Sequence, residues 1–110
     1  MSKAHFPHWR YVALHLEGTP VSRRALQSAI GKAARTQGVP DDDLPHLTRF
    51  QWPHAIVRVH HHQLDAARTW LPAITAVHQE GRSVALRVQT LSTSGTIKAL
   101  TDRLGVLKQR

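Results

Sequence analysis

The chain has 110 residues, 41% of them hydrophobic, and it contains no Cys. This length suits one domain over residues 1–110, and the missing thiols exclude disulfides, thiolate metal sites and cysteine nucleophiles. With 15 Lys and Arg against 7 Asp and Glu, the formal net charge is +8, which excludes an acidic disordered chain and favours an anionic partner. RNA, DNA, an acidic membrane surface and an acidic protein all fit that charge. We expect a soluble cytoplasmic protein, because no signal-peptide pattern and no apolar run of about 18 residues is present.

Hydrophobic periodicity divides the chain into seven predicted elements, with apolar residues alternating in strands and recurring every three or four positions in helices. The first two elements are a strand over 9–16 and a helix that Ser22 caps and Gly38 ends. Two strands follow over 47–52 and 55–61, and then a helix over 64–77, which Pro72 should kink and Gly81 should end. The last two elements are a strand over 83–91 and a short helix from Ser94-Gly95-Thr96 to Gly105.

The first six elements follow the order of the split β-α-β unit, so we predict an α+β, ferredoxin-like (RRM-like) fold. Its sheet should have four antiparallel strands, with the two main helices on one face. The other face would be partly free for the C-terminal helix or for a partner.

The second face of the predicted sheet is polar and cationic. Its expected side chains come from all four strands: Tyr11, His15, Arg49, Gln51, Arg58, His60, Arg87 and Gln89. This surface suits a phosphate backbone, although a solvated polar face is the alternative interpretation. Only Tyr11 offers an aromatic ring there, so we expect little base stacking.

The segment from Ser92 to Lys98 is a second candidate site. Free backbone N–H groups at a helix start attract anions, and Lys98 adds a full charge. The alternative is that Ser94-Gly95-Thr96 forms an ordinary N-cap without a ligand, and the sequence favours this alternative.

Three consecutive histidines, His60-His61-His62, suggest a metal site. Neighbouring residues of a strand point to opposite faces, however, so we expect a polar strand end and no bound metal.

Enzyme signatures such as Gly-x-Ser-x-Gly, a Walker loop and a Rossmann fingerprint are absent from the sequence. Asp41-Asp42-Asp43 is typical of a solvated loop. Acylphosphatases share the predicted element order, but they need an anion-binding loop with Arg after the first strand. Here Glu17-Gly18-Thr19-Pro20 stands in that place, which argues against a small phosphohydrolase.

Three segments resemble the archaeal ribonuclease P protein component 2 family, which is related to the eukaryotic Pop-five and Rpp-fourteen subunits. They are Arg10-Tyr11-Val12, the strand Ala55-Ile56-Val57-Arg58-Val59-His60 with the helix after it, and Arg87-Val88 followed by Ser94-Gly95-Thr96-Ile97-Lys98. The last segment is the most specific, and the resemblance covers about residues 9–104, the expected ordered core. The chain departs from the family at Ser92-Thr93, where a Gly-Val or similar pair is usual.

The resemblance implies a non-catalytic protein subunit of the ribonucleoprotein that removes the 5′ leader from precursor tRNA. The RNA would carry out the phosphodiester hydrolysis with magnesium, while the protein itself binds no cofactor. The implied partners are the ribonuclease P RNA, precursor tRNA in the holoenzyme, and the TIM-barrel-like component 3 in a heterotetramer with two copies of each. A generic ferredoxin-like RNA- or protein-binding module outside ribonuclease P is the alternative.

Ten residues are therefore candidates for contacts. Those expected to meet RNA are Arg10, Arg58, Arg87, Ser94, Gly95, Thr96 and Lys98. Those expected to meet a protein partner are Ile97, Leu100 and Leu104, which the sequence allows equally as core.

Overall fold

Five antiparallel strands form one sheet in the computed structural model, which describes residues 8–105. The basic C-terminal segment after Gly105, residues 106–110, lies outside the described residues. The elements are β1 (Trp9–Gly18), α1 (Arg23–Thr36), β2 (His46–Gln51), β3 (His54–His60), α2 (Leu64–Trp70), β4 (Ala76–Gln79), β5 (Arg82–Ser94) and α3 (Ile97–Leu104). Single 3-10 turns span Asp41–Asp43, His61–Gln63 and Leu71–Ala73.

The strand order is β2-β3-β1-β5-β4, and each neighbouring pair is antiparallel. Strands β1, β2, β3 and β5, with α1 and α2, make the split β-α-β arrangement that the sequence predicts. The ferredoxin-like fold class is confirmed, but the sheet has one more strand than expected.

The extra strand, β4, corrects the predicted second helix. That helix was expected over 64–77, whereas α2 ends at Trp70 and the next three residues, with Pro72 among them, form a 3-10 turn. Proline cannot donate the hydrogen bond that a helix interior requires. Glu80 and Gly81 then adopt positive φ angles of 51° and 77°. Positive φ at both residues is typical of the two-residue turn whose twist suits a hairpin, so β4 pairs directly with β5.

Both ends of α1 agree with the sequence prediction. The Ser22 hydroxyl accepts a hydrogen bond from the backbone N–H of Ala25 at 3.1 Å. At the other end Gly38 has a φ of +86°, and the N–H of Val39 donates to the carbonyl of Ala34 at 3.0 Å. These contacts satisfy backbone groups that a helix end leaves unpaired.

The main core lies between the sheet and helices α1 and α2. Its largest fully buried side chains include Leu14, Leu16, Leu26, Ile30, Leu47 and Leu71. Alternate residues of β1, such as Val12 and Leu14, point into this core, as their period of two predicts. No helix within residues 8–105 has the length and apolar character needed to cross a membrane.

The opposite side of the sheet, called the outer face below, is partly covered by α3. Leu100 packs there on Ala13 of β1 and Ile56 of β3, with Tyr11, Ile97 and Leu104 around them. Helix α3 therefore occupies the centre of the face that the sequence left partly free.

Candidate nucleic-acid interface

The strand register places the predicted polar residues on the outer face and shows how far apart they are. Tyr11 is opposite Arg58 on β3 and Ser94 on β5, so these three residues share one end of the sheet. Arg87 is opposite Glu17, six residues further along β1. At about 3.3 Å per residue this separation is about 20 Å. The structure therefore gathers Arg10, Arg58 and the segment from Ser94 to Lys98 at one end, called the Arg58 end below, and leaves Arg87 at the other.

At the Arg58 end, the guanidinium of Arg58 lies over the ring of Trp9. The guanidinium carbon is 4.3 Å from the ring centroid, within range of a cation–π interaction. The Nε atom of Arg58 is buried and has no hydrogen-bond partner among the described residues. The contact with the ring restricts the guanidinium, and its buried Nε has a hydrogen bond left to donate.

Trp9 is the functional candidate that the sequence analysis missed. It belongs to the same alternating set of β1 residues as Tyr11, and its ring also meets that of His60, with centroids 5.5 Å apart. The alternation could have identified it, because Trp9 differs from Tyr11 by two positions and so shares its face. The outer face thus carries two aromatic residues of β1, whereas we expected one.

The Ser94-Gly95-Thr96 segment forms the cap of α3. The Thr96 hydroxyl accepts from the N–H of Ala99 at 3.2 Å, and the Ser94 hydroxyl accepts from the N–H of Thr96 at 3.3 Å. Nη1 of Arg10 is close to this cap, since it would be 3.9 Å from a Cβ atom placed on Gly95. The ordinary capping role is therefore present, and a cation stands next to it.

Two cations of α3 already have partners within the chain. Nζ of Lys98 is 2.8 Å from the Asp102 carboxylate, and this hydrogen bond raises the pKa of Lys98. The guanidinium of Arg103 donates to the Ser92 hydroxyl and to the carbonyl of Thr93. The contacts of Arg103 tie the last turn of α3 to β5, and Lys98 would have to share its charge between Asp102 and a phosphate.

The three apolar residues proposed as a partner contact face the sheet. Leu100 is completely buried against Ala13 and Ile56, so it serves as core in this structure. Ile97 and Leu104 are partly buried beside it. Only these two retain surface for another protein, and their role in such a contact stays a prediction.

The structure contradicts the argument that the three histidines cannot converge. Strand β3 ends at His60, and His61 starts a 3-10 turn, so the alternation of a strand does not apply to all three. Their imidazoles lie together, with potential ligand atoms within 4.8 Å of one another. Burial, and then the nearby His62, lower the pKa of His60, while Asp43 opposes this shift.

A separate pair of histidines lies toward the other end of the outer face. His15 and His54 are opposite each other on β1 and β3, with ring centroids 5.3 Å apart. Burial and the neighbouring His15 both lower the pKa of His54. His54 is therefore harder to protonate than an ordinary histidine.

Comparison with known proteins indicates which family this chain resembles. No family model matches the chain. A ribonuclease P protein component 2 from Halorubrum lacusprofundi is 34% identical over 110 aligned positions. This relative confirms the resemblance to ribonuclease P protein component 2. The alignment covers 88% of this chain but only 65% of the length of the curated relative.

The fold also has a counterpart among solved structures. A chain in the cryo-EM structure of yeast ribonuclease MRP superposes with a TM-score of 0.62 and covers 94% of this chain and 95% of its own length. The two sequences are 14% identical. At that identity the likeness establishes a shared fold and nothing further.

Proposed function

We propose that this chain is a protein subunit of a ribonuclease P-type ribonucleoprotein and that it binds the RNA of that particle. The observation that carries the proposal is the 34% identity, over most of this chain, to a relative named ribonuclease P protein component 2. The net charge of +8 supports an RNA partner, because Lys and Arg that meet phosphates release counterions on binding.

The Arg58 end of the outer face is the best-supported RNA contact. The Arg58 guanidinium lies over the Trp9 ring, and Arg10 lies beside the capped start of α3. A guanidinium donates two parallel hydrogen bonds to a phosphate, and restricting it against the ring reduces the entropy lost on binding. Arg87 is near Glu17, with Nη1 3.9 Å from the carboxylate, and it contributes less in this proposal.

The finer elements of the proposal follow from the resemblance. The particle removes the 5′ leader of precursor tRNA in the cytoplasm, its RNA uses magnesium for phosphodiester hydrolysis, and the protein has no catalytic residue. The chain acts together with component 3, in an assembly with two copies of each protein. By neutralising phosphates, such a subunit favours the folded form of the catalytic RNA.

The salt dependence of RNA binding tests the proposed contact. If Arg58 meets one phosphate, Arg58→Ala weakens binding and lowers the slope of log K against log salt by about 0.7–0.9. Lys98→Ala should lower the slope less, because Asp102 already neutralises part of that charge. The matched control is Arg24→Ala, which removes the same charge from an exposed position of α1, on the other side of the sheet.

Filter binding or fluorescence anisotropy with the cognate ribonuclease P RNA, at four or more salt concentrations, provides the slopes. The contact is supported if Arg58→Ala changes the slope and Arg24→Ala does not. Equal slopes in the wild type and Arg58→Ala would contradict the assignment, as would equal losses in both variants.

A further inference from the structure

The end of β3 brings three imidazole rings together, at His60, His61 and His62. The ring centroids of His60 and His62 are 3.9 Å apart, and that of His61 lies 5.1 Å from His60 and 5.2 Å from His62. Each residue offers one ring nitrogen, and these nitrogens lie within 4.8 Å of one another. The change from strand to 3-10 turn at His61 creates this histidine cluster.

The spacing of the cluster is close to that of a metal site. Zinc binds imidazole nitrogens at about 2.0–2.1 Å in tetrahedral geometry, which places neighbouring nitrogens about 3.4 Å apart. The nitrogens of the cluster must therefore approach by at most about 1.4 Å. His61 and His62 are exposed, so small rotations of their side chains can supply this movement without disturbing the core.

One ring nitrogen of His60 lacks a hydrogen-bond partner, which also fits a metal site. Its Nδ1 atom is buried and has no hydrogen-bond partner within residues 8–105. A buried polar atom without a partner costs free energy, which a ligand at that atom removes. Coordination by a ring nitrogen of His60 would thus use a group that the fold leaves unused.

The surroundings of the cluster also suit a cation. The ring of His8 is 5.1 Å from that of His61, and the carbonyl of His8 accepts a 2.7 Å hydrogen bond from the N–H of His61. The site therefore has a fourth imidazole next to it.

We propose that the histidine cluster binds one divalent ion of the imidazole-preferring class, with Zn²⁺ as the physiological ion. His60, His61 and His62 each supply one nitrogen. This proposal replaces the expectation that the protein binds no metal, and it does not depend on the proposed RNA function. The bound ion would hold the turn between β3 and α2 in one conformation.

Metal titration of the untagged full chain tests the proposal, because a histidine tag would create a competing site. After treatment with a chelator, CoCl₂ is added and the visible absorption of tetrahedral Co²⁺ is followed, and ZnCl₂ is then added as a competitor. We expect saturation at one ion per chain with a Kd below about 10 μM. His60→Gln, His61→Gln and His62→Gln should each weaken binding at least about tenfold, by analogy with the loss of supporting groups around metal sites.

The matched control is His78→Gln on β4, at the other edge of the sheet from β2 and β3 and exposed like His61 and His62. It should bind the ion as the wild type does. Circular dichroism verifies that each variant is folded. If His60→Gln does not fold, the variants at the exposed residues His61 and His62 still test the proposal. Absence of saturable binding below about 100 μM, or unchanged binding in His61→Gln/His62→Gln, would overturn the proposal.

Discussion

Substituting Leu100 with Ala tests whether α3 is part of the folded unit. The Leu100 side chain is fully buried against Ala13 and Ile56. The change removes three carbon groups, worth about 0.8 kcal/mol each, or about 2.4 kcal/mol in transfer free energy. The cavity that remains raises the expected loss, and Leu→Ala in protein cores costs about 2–5 kcal/mol. The same change at Leu91, which is 41% exposed on β5, should cost less than about 0.5 kcal/mol.

Urea and thermal unfolding, followed by circular dichroism, give both values. We expect Leu100→Ala to lower the melting temperature by about 10 °C or more, from about 4–8 °C per kcal/mol in a domain of this size. Hydrogen exchange supplies a local measurement, because the N–H of Gly105 donates to the carbonyl of Thr101 only while α3 is formed. If Leu100→Ala loses no more stability than Leu91→Ala and exchange at Gly105 is unchanged, then α3 does not dock on the outer face.

Two further predictions concern backbone strain and pH. Gly18→Ala should destabilise the fold by about 2 kcal/mol or more, because φ is +118° and the new Cβ would lie 2.9 Å from the carbonyl oxygen of Ala85. Gly81→Ala should cost about 1 kcal/mol, because φ is +77° but the space around it is open. Equal losses of stability in Gly18→Ala and Gly81→Ala on urea unfolding would contradict this reasoning. Because burial lowers the pKa of His54, the unfolded chain binds protons more readily, and stability should fall as the pH drops below about 6.5. His54→Gln should make this fall in stability shallower, while His78→Gln should not. A urea midpoint of the wild type that stays unchanged between pH 5 and pH 8, about the range in which histidine titrates, would refute the prediction.

The sequence predicted the parts of the fold that depend on local pattern. Alternation in β1 assigns Val12 and Leu14 to the core and Tyr11 to the outer face, because a strand has a period of two wherever it lies. The caps of α1 follow from Ser22 and Gly38, whose backbone preferences act over a few residues. These features need no knowledge of distant contacts.

Strand β4 could not be predicted in the same way. Ile74 and Val77 are three residues apart, which fits a helix, and the buried Val77 pairs with Val84 only once the hairpin exists. The Glu80-Gly81 turn lacks the Asn or Asp that usually precedes Gly in such a hairpin. Tertiary pairing therefore decided between two structures that the local pattern allowed.

The candidate site was partly predictable for a related reason. Arg58 and the Ser94-Gly95-Thr96 cap lie at one end of the outer face, as strand phase and element order favour. Arg10 is in phase with Val12 and Leu14, which point into the main core, yet its Nη1 atom reaches the cap. The convergence of the three histidines was not predicted, because a strand that stops at His60 and one that continues past it have the same sequence pattern. A difference of one residue in a strand boundary decides whether three rings diverge or converge.

Cleavage of precursor tRNA by the cognate ribonuclease P RNA tests the central claim most directly. The assay uses limiting magnesium, with and without this chain and the component 3 protein, and includes Arg58→Ala and Arg24→Ala as a matched pair. The account predicts that removal of the 5′ leader increases when both proteins are present, and that Arg58→Ala reduces the increase while Arg24→Ala does not. RNA binding with no effect on cleavage would contradict the account and would favour a generic binding module.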